Sequence, residues 1–442
     1  MKRRDFLKTL AAGTAGVAVL GTSSVASSAE PEREPPFLLS EHGCGRATGY
    51  AETNKIVTTG GKTHVAWIDS EGEGFFVRVR TLDRQSGAWS STYTVGEAFD
   101  NHGGPALSVD SCGFLHLVYY PHHHPFRYRR SARPNDASEW DQEQQFGNRC
   151  TYPTLVCGPD DTLTLTCRES DRNPWVVNLY TKPPGGQWQG PTAILEALHP
   201  GYAHFQEALA WGPDHRTLHL STRLYDGKPG RAHTVGYLRS PDLGKTWERS
   251  DGTRVELPAT AKTVTVIADE SQEASPGLRC GSIAVDPSGV PHVLFSSSSS
   301  LDPVGAWIAS PDASGKWHRR AVLDELTGPL AGRRLTMAGG LTIASDGRMF
   351  VALQALKAPP GADTWGHASN EIVRLESPGA GRPFEARIVS SPNPDRAHWL
   401  PNIERPTGHN RVDAPSLIYT AGPPGEGCSD ILSNGVYWVG PG

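Results

Sequence analysis

The sequence predicts an all-β protein, a seven-bladed β-propeller built from Asp-box repeats, on three observations. Of 442 residues, 48 are Gly and 36 are Pro, 37% are hydrophobic and 20% charged. That composition supplies a sizeable core and favours short strands with many turns over long helices. A unit consisting of an apolar strand, a turn with Asp or Gly, and a second apolar strand recurs along the chain. The segment Ser240-Pro-Asp-Leu-Gly-Lys-Thr-Trp247 fits an Asp-box, with degenerate forms at Asp83 to Trp89, Ser131 to Trp140 and Ser310 to Trp317. In such a box Asp and Gly shape an outer turn and Trp packs between sheets.

The repeat is clearest in Ala106 to Leu117, Ser282 to Val293 and Gly340 to Val351, with looser copies from Ile56, Leu155, Leu209 and Leu417. Anchored on Ile56, Leu107, Leu155, Leu209, Ile283, Leu341 and Leu417, the seven units are spaced 51, 48, 54, 74, 58 and 76 residues apart. Four-stranded blades suit that spacing. The last anchor leaves only 25 residues before the C-terminus. A strand near Phe37 to Ser40 is therefore expected to complete the last unit and close the ring, removing exposed sheet edges. A two-sheet sandwich is the competing fold.

Residues 1–29 read as a twin-arginine signal peptide: paired Arg3-Arg4, a weakly apolar Leu10 to Gly21, and Ser27-Ser28-Ala29 as a cleavage site. Residues 30–442 are then a single propeller domain, exported to the periplasm or beyond, with no stretch apolar enough to span a membrane. Without the leader, 38 basic and 46 acidic residues remain, so no general attraction to nucleic acid or anionic lipid is expected. Seven cysteines, at 44, 112, 150, 157, 167, 280 and 428, give an odd count, and Cys157 with Cys167 flank a hairpin turn across which they could pair.

Strand alternation turns offsets into geometry. The start of a blade's first strand and the end of its second lie at the same end of the central channel. Three and five residues before the anchors stand His102 and Gly104, Cys150 and Tyr152, His204 and Gln206, Leu278 and Cys280. At the ends of the returning strands stand Tyr120, Arg168 and Arg223, and Pro121-His122-His123-His124-Pro125 follows Tyr120. Arg168, Arg223 and a loop histidine suit a uronate carboxylate, whose neutralisation acidifies the adjacent C–H. His102 or Tyr152 would remove that proton while the other protonates the departing oxygen. A base role for Tyr152 requires a cation such as Arg168 beside it.

Each residue also has a structural alternative. His64, His116 and His292, which recur at the end of the same turn, read as structural groups. Arg168 and Arg223 could pair with Glu169 and Asp226, and Tyr152 could simply pack before Pro153. Cys-x-x-Cys and His-Glu-x-x-His signatures are absent. His204 and Cys280 on adjacent blades, with His233 as a third donor, are the candidate ligands for a structural zinc. The proposed chemistry requires no cofactor.

The segments Asp100 to Asp110, Gly113 to His116, Pro121 to Phe126, Tyr152 to Leu155, Arg168 to Ser170, Gly201 to Gln206, Leu218 to Arg223 and His398 to Glu404 resemble BNR-repeat propellers of the kind that includes the ulvan lyases. That resemblance implies β-elimination on an anionic, uronate-containing polysaccharide. It places the family's catalytic groups on His102, on His122 or His123, on Tyr152 and on Arg168, and a substrate-contacting tyrosine on Tyr202. The resulting assignment has His102, Tyr152, His123 and Arg168 as catalytic. His122, Tyr202, Arg223 and Asn101 are substrate-binding, and which loop histidine faces the site stays open. A sialidase-type hydrolase and a non-catalytic sugar-binding propeller are the rival functions; no Arg-Ile-Pro opening supplies the first arginine that a sialidase needs.

Overall fold

The computed structural model describes residues 35–225, 233–272, 277–297, 305–357, 366–391, 393, 395–425 and 433–441. The signal-peptide segment, Cys428 and Asp226 lie outside the described residues. The 28 strands of the described residues form two eight-stranded and three four-stranded sheets, all antiparallel, with only three short 3-10 turns as helix among them. Each larger sheet is two meanders joined at a seam. One seam is the Gly43–Asp69 pair, and the other is the long strand Gln144–Cys157. The pairings thus sort into four-strand units, and the innermost strands of successive units pack against one another.

The Asp-box behaves as its residue types require. Asp242 accepts from Ser240 Oγ (2.9 Å), Thr246 N (2.8 Å) and Thr246 Oγ1 (2.8 Å), which fixes the turn. Leu243 and Gly244 take left-handed φ of 65° and 87°, and Trp247 is buried. The turn aspartates inside the hairpins act likewise. Asp110 and Asp286 each accept two backbone N–H groups and hold His116 and His292 at 3.1 and 3.2 Å. His64 is held between Thr81 and Asn135. All three recurring histidines are structural, as expected.

The last unit begins earlier than the anchor Leu417 suggests. Its first strand is Ala397–Ile403, and Leu417 opens the second. The N-terminal strand Phe37–Gly43 pairs antiparallel with Asn434–Val439 and supplies the fourth. The first and last units are also joined by side chains: Trp399 Nε1 donates to Gly45 O (2.9 Å), Thr48 Oγ1 to Leu400 O (2.7 Å) and Asn402 Nδ2 to Tyr50 O (2.8 Å).

The Cys157–Cys167 pair that the sequence allowed does not form, and all six described cysteines are free thiols. Cys157 stands opposite Leu163 at the turn, whereas Cys167 lies farther along, facing the break in register between Thr151 and Thr154. Among the described residues no helix is long and apolar enough to cross a membrane.

Candidate active site

The strand Gln144–Cys157 builds the centre of the site. Its first half pairs with His124–Arg133 as the outer edge of the second unit, and its second half pairs with Leu163–Glu169 as the inner strand of the third. To pass from one role to the other the backbone bulges, and Tyr152 adopts φ 59°. Tyr120 (φ 96°) and His123 (φ 61°) on the neighbouring connection are left-handed too. Non-glycine residues in this region carry strain that gathers at functional sites.

The bulge corrects one sequence expectation. Strict alternation places Cys150 and Tyr152 on one face, but Cys150 turns into the core between sheets, its Sγ 3.0 Å from Glu169 Oε1. Tyr152 points to the site. Its ring meets Tyr50 edge-on at 5.1 Å, His204 at 5.1 Å and His102 at 6.4 Å, and Arg168 Cζ lies 4.7 Å from its centroid. Burial pushes the Tyr152 phenol above its ordinary value despite the opposing charge of Arg168. The phenol is therefore protonated near neutral pH.

His102 and His122 stack with centroids 4.0 Å apart. Asp100 ties them together: Oδ1 lies 2.7 Å from His102 N and 3.2 Å from His102 Nδ1, and Oδ2 lies 2.6 Å from His122 Nδ1. Burial opposes ionisation of Asp100, but the hydrogen bonds from both histidines hold its carboxyl well below the usual range. His102 is lowered by burial, and its Nε2 faces Arg46 Nη1. His122 Nε2 has no hydrogen-bond partner among the described residues.

His123 sits on the far side of His122, 4.7 Å between centroids, and 5.5 Å from Trp175. Its Nδ1 lies 2.6 Å from Ser170 Oγ and its Nε2 3.3 Å from Arg168 Nη2; burial, with Arg168 next, lowers it to about 4. Of the two loop histidines, then, His122 joins His102, and His123 backs Arg168. Arg168 is 1% exposed and does not pair with Glu169, which instead accepts from Tyr180 and Asn178.

Arg223 is equally buried, its Nη2 against His204 Nδ1. Tyr202 is half exposed beside Trp175, ring centroids 5.1 Å apart. Asn101, read as substrate-binding, is 1% exposed and accepts from Arg46 Nη1 at 3.2 Å, so it braces the site from below. His204, Cys280 and His233 do not converge as a zinc site. The His204 Nδ1 is taken by Arg223 and the His233 Nδ1 by Leu278 O at 3.1 Å. Among the described residues the groups spaced to hold a metal are Asp100–His102–His122, Cys150–Cys167–Glu169 and Cys157–Asp161–His409.

Sequence reasoning missed Arg46, Tyr50, Ser170 and Trp175 as members of the site. Arg46 and Tyr50 come from the connection between the first two strands of the chain, which carries no repeat mark. Trp175 follows Asn173-Pro174 at the mouth of the third unit, where only its aromatic character marked it.

Two curated relatives share low identity with the chain. An ulvan lyase of the PL25 type from Pseudoalteromonas sp. (strain PLSV) is 21% identical over 283 residues, 53% of this chain and 56% of that one. An ulvan lyase from Nonlabens ulvanivorans is 22% identical over 303 residues, 58% of this chain and 62% of that one. The matched stretch thus spans less than two thirds of either relative. Among solved structures, a PL25 ulvan lyase bound to -[GlcA(1-4)Rha3S]- superposes with a TM-score of 0.71 at 14% identity, covering 92% of this chain and 96% of its own. The polysaccharide lyase Uly1 gives 0.61 at 13% identity, covering 93% and 100%. These likenesses place the fold among propellers. The model of the BNR repeat-containing family matches residues 62–325, well over half of the sequence, and the chain belongs to that family.

Proposed function

We propose that the chain is an exported polysaccharide lyase that cleaves a uronate-containing, ulvan-like polymer by β-elimination. The observation that carries this reading is the convergence of His102, His122, Tyr152 and Arg168 on one another from adjoining units. The ulvan lyase relatives point the same way. The paired arginines of the leader support export.

In this reading Arg168 neutralises the uronate carboxylate, making the hydrogen on the adjacent carbon more acidic. A neutral imidazole of the His102–His122 pair takes that proton, each ring held by Asp100 at its Nδ1. The released electron pair forms the carbon–carbon double bond as the neighbouring carbon–oxygen bond breaks. Tyr152, kept protonated by burial, gives its proton to the departing oxygen. The imidazolium then returns a proton through solvent and the site is restored.

The test is to incubate the chain from residue 30 with ulvan and other uronans, following ultraviolet absorbance and reducing ends together. Elimination raises both. Reducing ends without absorbance would instead mark a hydrolase, and binding with neither signal a lectin; either result ends the lyase reading.

A further inference from the structure

Three buried groups behind the reaction centre turn their ligand atoms towards one another. Cys150, Cys167 and Glu169 are at most 1% exposed, and their two sulfurs and a carboxyl oxygen all lie within 4.8 Å of one another. Cys150 pairs with Glu169 across two strands, and Cys167, two residues before Glu169, stands on the same face. Cys150 Sγ lies 3.0 Å from Glu169 Oε1. Zinc held by sulfur at about 2.3 Å and oxygen at about 2.0 Å has tetrahedral edges of about 3.5–3.8 Å, so the three atoms are spaced as such an ion needs.

Two further observations favour an ion over a merely packed core. Glu169 accepts from Cys150, Asn178 and Tyr180, all neutral, and forms no ion pair among the described residues. A carboxyl buried without a cation is costly, and a metal relieves that cost. Beside it Gly147, at φ 75°, leaves a gap: a Cβ there would collide with Cys150 Sγ and come within 3.4 Å of Tyr180 Oη and 3.5 Å of Glu169 Oε1. Tyr180 Oη thus borders the gap as a fourth donor. Gly147 is itself exposed, which gives the buried cluster a way in from solvent. The group Cys157–Asp161–His409 compares poorly, with one sulfur and with both Asp161 oxygens taken by Ser111 at 2.8 and 2.6 Å.

We propose that Cys150, Cys167 and Glu169 bind one divalent ion of the zinc type, at a structural site separate from the proton-transfer groups. Its presence does not depend on the reaction assigned above. Two thiolates select a soft ion over magnesium or calcium. Burial raises both thiols above their ordinary value, so without the ion they keep their protons. One divalent ion therefore enters as two protons leave, and affinity rises with pH. Cys150 and Thr151 pair with the neighbouring strand between two breaks in register, Phe146–Cys150 and Thr151–Thr154. Cys150 stands two residues before Tyr152 and Cys167 one before Arg168, so the ion would clamp the backbone that carries both.

The test titrates the full chain, stripped with a chelator, with cobalt, zinc or magnesium chloride while absorbance and thermal unfolding are followed. One equivalent of cobalt should give a thiolate-to-cobalt charge-transfer band that zinc abolishes. Zinc should raise Tm by about 5 °C, and magnesium should not. Cys112→Ser, at an exposed thiol outside the cluster, should keep the band, and Cys167→Ser should lose it. The absence of a band in wild type overturns the site, and so does a band that survives in Cys167→Ser. Should Cys167→Ser not fold, alkylation of wild type in mild denaturant decides. Zinc should slow labelling of Cys150 and Cys167 about tenfold or more, and equal labelling with and without zinc overturns the site. A Cys150–Cys167 disulfide found by peptide mapping of the purified chain overturns it as well, since no thiolate is then left to bind.

Discussion

Tyr152 illustrates how a single residue acquires its chemistry from its surroundings. An isolated phenol is a poor acid and a poor base near neutral pH, and an adjacent guanidinium would draw it towards phenolate. Here burial outweighs Arg168, so proton donation is the role left to it. Tyr152→Phe keeps the packing against Tyr50 and His204 but removes the proton, and should lower kcat by about 10²–10⁴ with KM nearly unchanged, measured by absorbance kinetics. The histidines complement it. His102 and His123 are both lowered, so they stay neutral as pH falls through the ordinary histidine value near 6.5. With His102 as the proton acceptor, which must be neutral, the acid limb of kcat/KM is expected below that value. Asp100 is the positioning residue for the pair and also raises His102. Asp100→Asn should therefore move the acid limb to still lower pH while cutting kcat about tenfold or more through lost orientation; a profile that does not move would show that Asp100 only supports the loop.

Elements show where sequence reasoning succeeded and where it broke down. His102, Tyr152 and Arg168 were legible because each lies a fixed offset from an apolar anchor and strands alternate faces. Cys150 obeyed the same rule on paper and failed it in space, since the bulge between Thr151 and Thr154 breaks the alternation and nothing in the sequence around Pro153 fixes its place. Leu417 failed for a related reason: the hairpin pattern it matched belongs to the second and third strands of its unit. Arg46 and Trp175 were invisible because irregular connections have no period. The Asp-box, by contrast, was read correctly from eight residues, because its side chains bond within the turn itself. Asp242→Ala removes three accepted hydrogen bonds there and should cost about 1–3 kcal/mol in urea unfolding. Activity per folded molecule should be unchanged, since the box forms an outer turn and none of the site groups contacts it.

At the scale of the whole molecule, the site depends on a ring that the chain closes with its own two ends. Strands within a unit follow one another locally, but Phe37–Gly43 must find Asn434–Val439 across nearly the full length of the sequence. The same closure positions Arg46 and Tyr50, which lie just past that strand and reach His102 and Tyr152. Loss of the strand would expose the edge of Asn434–Val439, a template for pairing with other chains. It would also free the connection that carries Arg46. A chain beginning at Cys44 is therefore expected to unfold at lower temperature than one beginning at Pro35, to elute partly as higher oligomers, and to lose activity beyond its loss of folded protein. A synthetic peptide spanning residues 35–43 should restore part of both. If the shortened chain keeps the Tm and kcat of the longer one, closure by the N-terminal strand contributes neither stability nor site geometry. The ring would then be held by the side-chain bonds of Trp399, Thr48 and Asn402 alone.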